Sequence, residues 1–386
     1  MIKSFSILSH LSQRVAFLVV ICFVLCFVQF TLILQLISES PEIERFLSLS
    51  SNDNLSTILN CTKKLKCPNN ITRFSIHIDE NIQYPNLSYV RSPVFTTILD
   101  TIRTSSYYTN DSTSACIHIA PVDTIDRDRR SKNGYYTYFI EQRLNFFREW
   151  SDPNKIHLIF NHYTGTWPLY RRTLDFTLPS RHILALTSLT TANYNCLSHV
   201  TFPLFHSDYP SNLTNKFSST RTILLSFKGK SYEDVQHHRT FFRHLNNNHD
   251  IIIKYTDNTS SYDQHEYTEL LRQSYFCLVP SGRRLYSYRF LEVLQYGCIP
   301  VITTNDNEFV ILPFSEIINW SQTIIVYSNS PLSLLPYYLK KIGKQQRIQM
   351  QKECIDIWLK YFSSIPRIIL TTLDILNDRF ISSLPS

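Results

Sequence analysis

Glycine is scarce in this chain, with six residues in 386. That excludes glycine-rich loops as a general device. The few glycines mark places where the backbone turns tightly or approaches a ligand closely. Gly165, Gly229, Gly282 and Gly297 all fall in segments singled out below. No repeat of fixed period runs through the sequence, which excludes a solenoid or a propeller. No cluster of His, Cys, Asp and Glu has metal-ligand spacing, so no resident metal or tightly bound cofactor is implied. A divalent ion arriving with a substrate stays open. No clear small-residue cleavage site follows the N-terminal apolar run, which argues against removal as a signal peptide.

What is present suffices for two domains of ordinary size, with 43% hydrophobic and 13% aromatic residues for their cores. The net charge of +7 fits a plain basic surface or a polyanionic partner. Residues 15–36 form an apolar run long enough to span a bilayer. Lys3 and Arg14 precede it, and Glu39, Glu42 and Glu44 follow, which favours a cytosolic N-terminus. The expected order is a cytosolic tail over 1–14, a single-pass signal-anchor over 15–36 and a polar stem over 37–66, with the rest lumenal. Eight N-x-S/T sequons, at Asn54, Asn60, Asn70, Asn86, Asn110, Asn212, Asn258 and Asn319, support a secretory lumen. Seven cysteines lie beyond the span, so at least one is free or pairs with another chain.

Past the stem, short apolar runs alternate with amphipathic stretches, the pattern of α/β layers. Within 67–215, strands are expected at 74–78, 116–119, 157–160 and 183–186, and helices near 94–103 and 139–150. Within 216–386, strands are expected at 222–227, 251–255, 276–279, 300–303 and 324–326. Helices are expected there at 234–245, 264–272, 288–296, 345–362 and 367–379, the last two parted by Pro366. This reads as two Rossmann-like domains facing a cleft, a GT-B-like architecture.

Residues 276–301, FCLVPSGRRLYSYRFLEVLQYGCIPV, are the most informative stretch. A strand leads through a basic turn into a helix that ends at Gly297. Unpaired N–H groups at such a helix start attract anions. Gly282 brings the backbone close, and Arg283, Arg284 and Arg289 add bidentate donors for phosphate. Glu292, further along the helix, suits a sugar diol, or an ion pair with Arg289 on the helix surface. Together these suit a sugar nucleotide. Lys228, Gly229 and Lys230 follow the first strand of the second block, at the strand end where α/β proteins bind ligands.

This turn, with ACIHIAPVDTIDRD, HLIFNHYTGTWP, LLSFKGKSY, LPFSEIINWSQ and YFSSIPRIILTTLDILNDR, resembles the exostosins, the heparan-sulfate co-polymerase glycosyltransferases. The resemblance covers roughly residues 61–380, in the order of the family's N-terminal catalytic module. Their second module, associated with N-acetylglucosamine transfer, has no counterpart in these residues. Ser231 and Ser281 stand where the family usually has arginine, and Tyr286 where it has glycine.

The resemblance implies inverting transfer of glucuronic acid from UDP-glucuronate to a terminal N-acetylglucosamine in heparan sulfate. It implies that Arg283 and Arg289 hold the diphosphate or the glucuronate carboxylate, and that Glu292 meets the ribose. Such a reaction needs a base for the attacking hydroxyl. Asp126 and Asp128 are the candidates from the first block, against a structural loop network around Arg127. Asn161, Gly165 and Trp167 are candidates for the acceptor groove. Glu316 is a candidate donor-sugar contact or a helix N-terminal residue. Two disulfides are implied, Cys67–Cys116 and Cys277–Cys298. The expected setting is the Golgi and endoplasmic reticulum membrane, as a homo- or heterodimer with an exostosin. The alternatives are a catalytically silent subunit of an active exostosin, or a transferase acting on another polysaccharide. Lumenal placement leaves no role with nucleic acid.

Overall fold

The structure is a computed structural model. It describes residues 65, 67, 74–79, 91–125, 140–162, 176–187, 189, 194–205, 209, 220–230, 238–256, 261–282, 286–303, 311–327 and 331–381. The expected span, 15–36, lies outside them. Among the described residues no helix is long and apolar enough to cross a membrane.

Two five-stranded sheets carry the fold, and every strand pair in them is parallel. The first holds β1 (Ile76–Ile78), β2 (Ile117–Ile119), β3 (His157–Asn161), β4 (His182–Leu186) and β5 (His199–Thr201), side by side in chain order. The second holds β6 (Ile223–Gly229), β7 (Ile251–Tyr255), β8 (Ser274–Pro280), β9 (Ile299–Thr303) and β10 (Ile325–Tyr327). Its spatial order is β10-β9-β8-β6-β7. The chain leaves β6 to one side, forms β7, then returns past β6 to form β8. That is the doubly wound order, with its reversal between β6 and β8. Among the described residues the first sheet shows no reversal.

Seven α-helices are described: α1 (Pro93–Thr104), α2 (Ile140–Asn145), α3 (Ser261–Gln273), α4 (Arg289–Gln295), α5 (Leu335–Lys341), α6 (Lys344–Ile357) and α7 (Ile365–Ile381). α1 starts where Ser92 Oγ accepts from Phe95 N and Pro93 opens the first turn. Its buried residues Val94, Phe95, Ile98, Leu99 and Ile102 recur at helical spacing and form one apolar face. α7 follows the second sheet in the chain but packs against α1. Tyr107 OH donates to Asp374 (2.8 Å), and Phe380 lies 5.3 Å from Phe74.

A continuous apolar cluster joins the two sheets through Phe205, Phe314, Phe362 and α7. On the other face of the first sheet, Ile159, Leu184 and Leu186 pack against Ile140, Leu144, Phe147 and Trp150. Disulfides link Cys67 to Cys116 and Cys277 to Cys298. Cys196 is disulfide-bonded too. Cys354 is free, and burial pushes its thiol well up.

Some expected elements take a different form. The helix expected over 139–150 divides into α2 and a 3-10 helix, Arg148–Ser151. Only His238–Leu245 of the helix expected over 234–245 is described, as a 3-10 helix. Pro366 does not part the last helices. It sits in the first turn of α7, where proline loses no helical hydrogen bond. The break falls at Ser363 and Ser364, after a π-helical stretch, Trp358–Phe362. β5 has three residues and α5 carries Pro336 in its first turn. Neither offers a periodic apolar run.

Candidate functional site

The reversal places the carboxyl ends of β6 and β8 beside each other. β6 is buried from Ile223 to Lys228. The Lys228 side chain is 3% exposed, and its Nζ donates to Glu266 Oε2 at 2.7 Å. Lys254 Nζ bonds the other oxygen of that carboxylate. Lys228 and then Lys254 hold the Glu266 carboxyl at about 2. Gly229 has a steric reason to be glycine, since a Cβ there would meet the Phe227 ring at 3.0 Å. Lys230 is exposed.

Two buried arginines stitch the strand ends together. Arg289, opening α4, donates from Nε to Leu278 O (2.7 Å) and from Nη1 to Lys228 O (3.1 Å). Its Nη2 is buried and makes no hydrogen bond among the described residues. Arg239, from the 3-10 helix His238–Leu245, donates from Nε to Ser281 O (2.9 Å), from Nη1 to Lys230 O (3.1 Å) and from Nη2 to Pro280 O (3.4 Å). Both guanidinium groups lie over the Phe227 ring, at 5.3 Å for Arg289 and 5.7 Å for Arg239. The sequence reading included Arg289 and missed Arg239. HRTFFRHL looks like a basic helix face in solvent, and nothing in its spacing separates Arg239 from Arg243.

α4 is held at both ends. Cys298 N donates to Val293 O and Gly297 N to Leu294 O, and Gly297 has φ +61°, the Schellman termination. A Cβ at Gly297 would come within 2.8 Å of Ile355, so glycine is required twice over. Half-buried Glu292 accepts a hydrogen bond from Tyr267 OH, whose phenol burial pushes far up. Gly282 N donates to Tyr286 O (3.3 Å); Arg283 and Arg284 lie outside the described residues.

Across the molecule, the first sheet presents the carboxyl ends of β3 and β4. Asn161 is fully buried and donates from Nδ2 to Thr124 O (3.0 Å). Asp123 Oδ2 accepts from Ser92 N (2.8 Å) and Oδ1 from Ile125 N (3.0 Å). His162 N donates to Ile125 O (2.8 Å). A buried network thus fixes the backbone of residues 121–125 that leads to Asp126 and Asp128. Those two aspartates, Gly165 and Trp167 lie outside the described residues. Asn161 is part of this network, and its amide is engaged with backbone.

Glu316 is held through its carboxylate. Arg379 of α7 holds it through Nε to Oε2 (3.1 Å) and Nη2 to Oε1 (2.5 Å), and Tyr194 OH donates to Oε1 (3.3 Å). Phe314, two residues earlier, has φ +54°, rare for a bulky side chain. Its N–H reaches Thr201 O (3.3 Å), and its ring stacks on Phe362 at 5.4 Å. This corner joins the two halves. Among the described residues no group of three or more His, Cys, Asp or Glu could hold a metal ion.

The described geometry can be set beside known proteins. The Exostosin GT47 domain matches residues 71–342. Exostosin-1c of Danio rerio is 35% identical over 313 residues, 74% of this chain and 41% of that protein. Exostosin-1 of Bos taurus is 34% identical over 311 residues, 73% of this chain and 40% of that protein. The chain thus spans about two fifths of the length of these relatives. Among solved structures, TarM (TM-score 0.35, 10% identity, 68% of this chain and 54% of that one) is distantly alike. So is WaaG, a glycosyltransferase involved in lipopolysaccharide biosynthesis (TM-score 0.34, 10% identity, 78% and 99%). Likenesses this slight carry nothing further.

Proposed function

The chain belongs to the exostosin GT47 family, and we propose that it is a glycosyltransferase holding a UDP-sugar at the β6/β8 reversal. The observation that carries this is the convergence of Lys228, Arg239 and Arg289 on adjacent strand ends. Open parallel sheets bind ligands at such a point, and a leaving diphosphate needs positive charge there. Arg283 and Arg284, beyond Gly282, would supply the exposed part of that charge. The architecture we propose is GT-B-like, with the first sheet facing the acceptor.

The donor we propose is UDP-glucuronate and the acceptor the terminal N-acetylglucosamine of a heparan chain. The acceptor hydroxyl attacks the anomeric carbon of glucuronate. The bond from that carbon to the UDP oxygen breaks and the configuration inverts. The hydroxyl proton passes to Asp126 or Asp128, and UDP leaves with its charge held by arginine and lysine. We place the protein in the Golgi and endoplasmic reticulum membrane as a single-pass type II protein, paired with an exostosin.

A second reading has one observation in its favour. Lys228 is already paired with Glu266, and Arg289 already serves two carbonyls. A subunit with its cations so engaged could be catalytically silent and act by binding an active exostosin. Incubating the full chain with labelled UDP-glucuronate and an N-acetylglucosamine-terminated heparan oligosaccharide separates the two. Transfer supports the enzyme. UDP binding without transfer by the chain alone, together with stable association with an active exostosin, supports the silent subunit, and absence of UDP binding removes the donor site.

A further inference from the structure

Arg239 is 5% exposed and comes from neither strand of the reversal nor from α4. It takes the carbonyls of Lys230, Pro280 and Ser281, at and just beyond the ends of β6 and β8. Arg289 does the same two residues earlier on each strand, at Lys228 and Leu278. Carbonyl oxygens at the carboxyl edge of a parallel sheet present partial negative charge to a ligand, and a diphosphate is repelled by them. A guanidinium that binds three of them removes that repulsion and leaves a fixed positive charge beside the anion. Its planar fork also holds the two strand ends at one separation, which a lysine cannot do. Arg239 is itself held, since Tyr255 OH donates to its carbonyl and the Phe227 ring lies under its guanidinium.

We propose that Arg239 is the positioning residue of the donor site, setting the separation of the β6 and β8 ends that receive the diphosphate of the UDP-sugar. This rests on the donor reading above. The test uses the full chain as wild type, Arg239→Lys and Tyr255→Phe. UDP is titrated calorimetrically, melting temperature is recorded, and KM and kcat are measured for UDP-glucuronate. Arg239→Lys keeps the charge and loses the fork. Its UDP Kd and donor KM should rise together about tenfold, with kcat changed less than about threefold. Tyr255→Phe, which loosens the arginine from behind, should raise the UDP Kd about threefold. An arginine serving stability alone would lower the melting temperature in both variants and leave the Kd of the folded protein at the wild-type value. That result overturns the proposal. Should Arg239→Lys fail to fold, an unchanged Kd in Tyr255→Phe overturns it equally. A wild-type chain that does not bind UDP overturns the donor reading and this inference together, whereas equal binding by wild type and variants removes the inference alone.

Discussion

The first sheet runs β1 to β5 in chain order while the second reverses between β6 and β8, and their buried polar groups follow that difference. In the second sheet they sit at strand ends. Arg239 and Arg289 gather five carbonyls at the carboxyl end. Arg221 gathers three more where β6 begins, from Leu271, Ser274 and Tyr296, and burial lowers its guanidinium to about 10. The first sheet instead carries a row of histidines in register across β1 to β4, with His77 and His118 mid-strand and His157 and His182 at the first residues of β3 and β4. A reversal parts the connections of two neighbouring strands and leaves their end groups without a covering loop. Those groups must be satisfied, and the same opening admits a ligand.

The largest effect expected from breaking this contrast is at Arg289. Arg289→Met should leave Leu278 O and Lys228 O unsatisfied at the reversal. Each buried carbonyl costs about 1–3 kcal/mol. UDP affinity should fall by about a hundredfold, in line with losing two charge-assisted contacts. Denaturant unfolding and UDP titration measure the two effects. Lost stability with UDP binding intact would mean the reversal is only a structural joint.

The disulfides sharpen the comparison because each staples one sheet. Cys67–Cys116 closes a 49-residue separation and Cys277–Cys298 a 21-residue one. On loop-closure entropy alone their removal costs about 4 and about 3 kcal/mol. The paired substitution Cys67→Ala with Cys116→Ala should therefore cost more stability and spare UDP binding. Cys277→Ala with Cys298→Ala should cost less and weaken UDP binding, because Cys298 ends the turn that fixes α4. The reverse pattern in urea unfolding and UDP titration would detach α4 from the donor site.

Much of this contrast was legible in the residues. The apolar β-branched runs gave all five strands of the second sheet, because strands buried on both faces need no alternation. Gly297 was legible as the stop of α4, and the Cys277–Cys298 pair was implied by the resemblance to the exostosins. Arg239 was not, because its role depends on carbonyls some 40 residues away in sequence. Glu316, a candidate donor contact or helix N-terminal residue, has a partner that no nearby residue signals. Its tie to Arg379 spans 63 residues and depends on α7 returning to the first half of the molecule. No local pattern encodes that return.

Glu316 also lets the joint between the halves be tested apart from the donor site. Glu316→Gln removes the bidentate partner of Arg379, whose side chain is 7% exposed. Leaving that charge buried and unpaired should cost about 3 kcal/mol. UDP affinity should stay within about twofold of wild type, since Arg379 and Tyr194 already engage the Glu316 carboxylate. A tenfold weaker UDP Kd with normal stability would make Glu316 a donor contact.

The smallest effect belongs to the histidine row and appears as a pH dependence. His157 Nε2 lies 2.9 Å from Glu149 O, and the ring packs against Trp150 and Phe147. Burial pushes its imidazole down to about 4, with His118 opposing protonation and Asp79 favouring it. The unfolded chain takes up this proton near pH 6.5 and the folded one only near 4, so acid favours unfolding. The contribution is complete above about pH 6.5 and fades as pH falls towards 4, amounting to about 2 kcal/mol lost between pH 7.5 and 5. Urea unfolding of wild type and His157→Leu across that range measures it. The variant should lose less stability on acidification, by about that amount. The Arg289→Met variant should keep the wild-type slope, because it leaves His157 and its surroundings in place. Parallel slopes in wild type and His157→Leu would mean that burial of this imidazole does not change its proton uptake on folding.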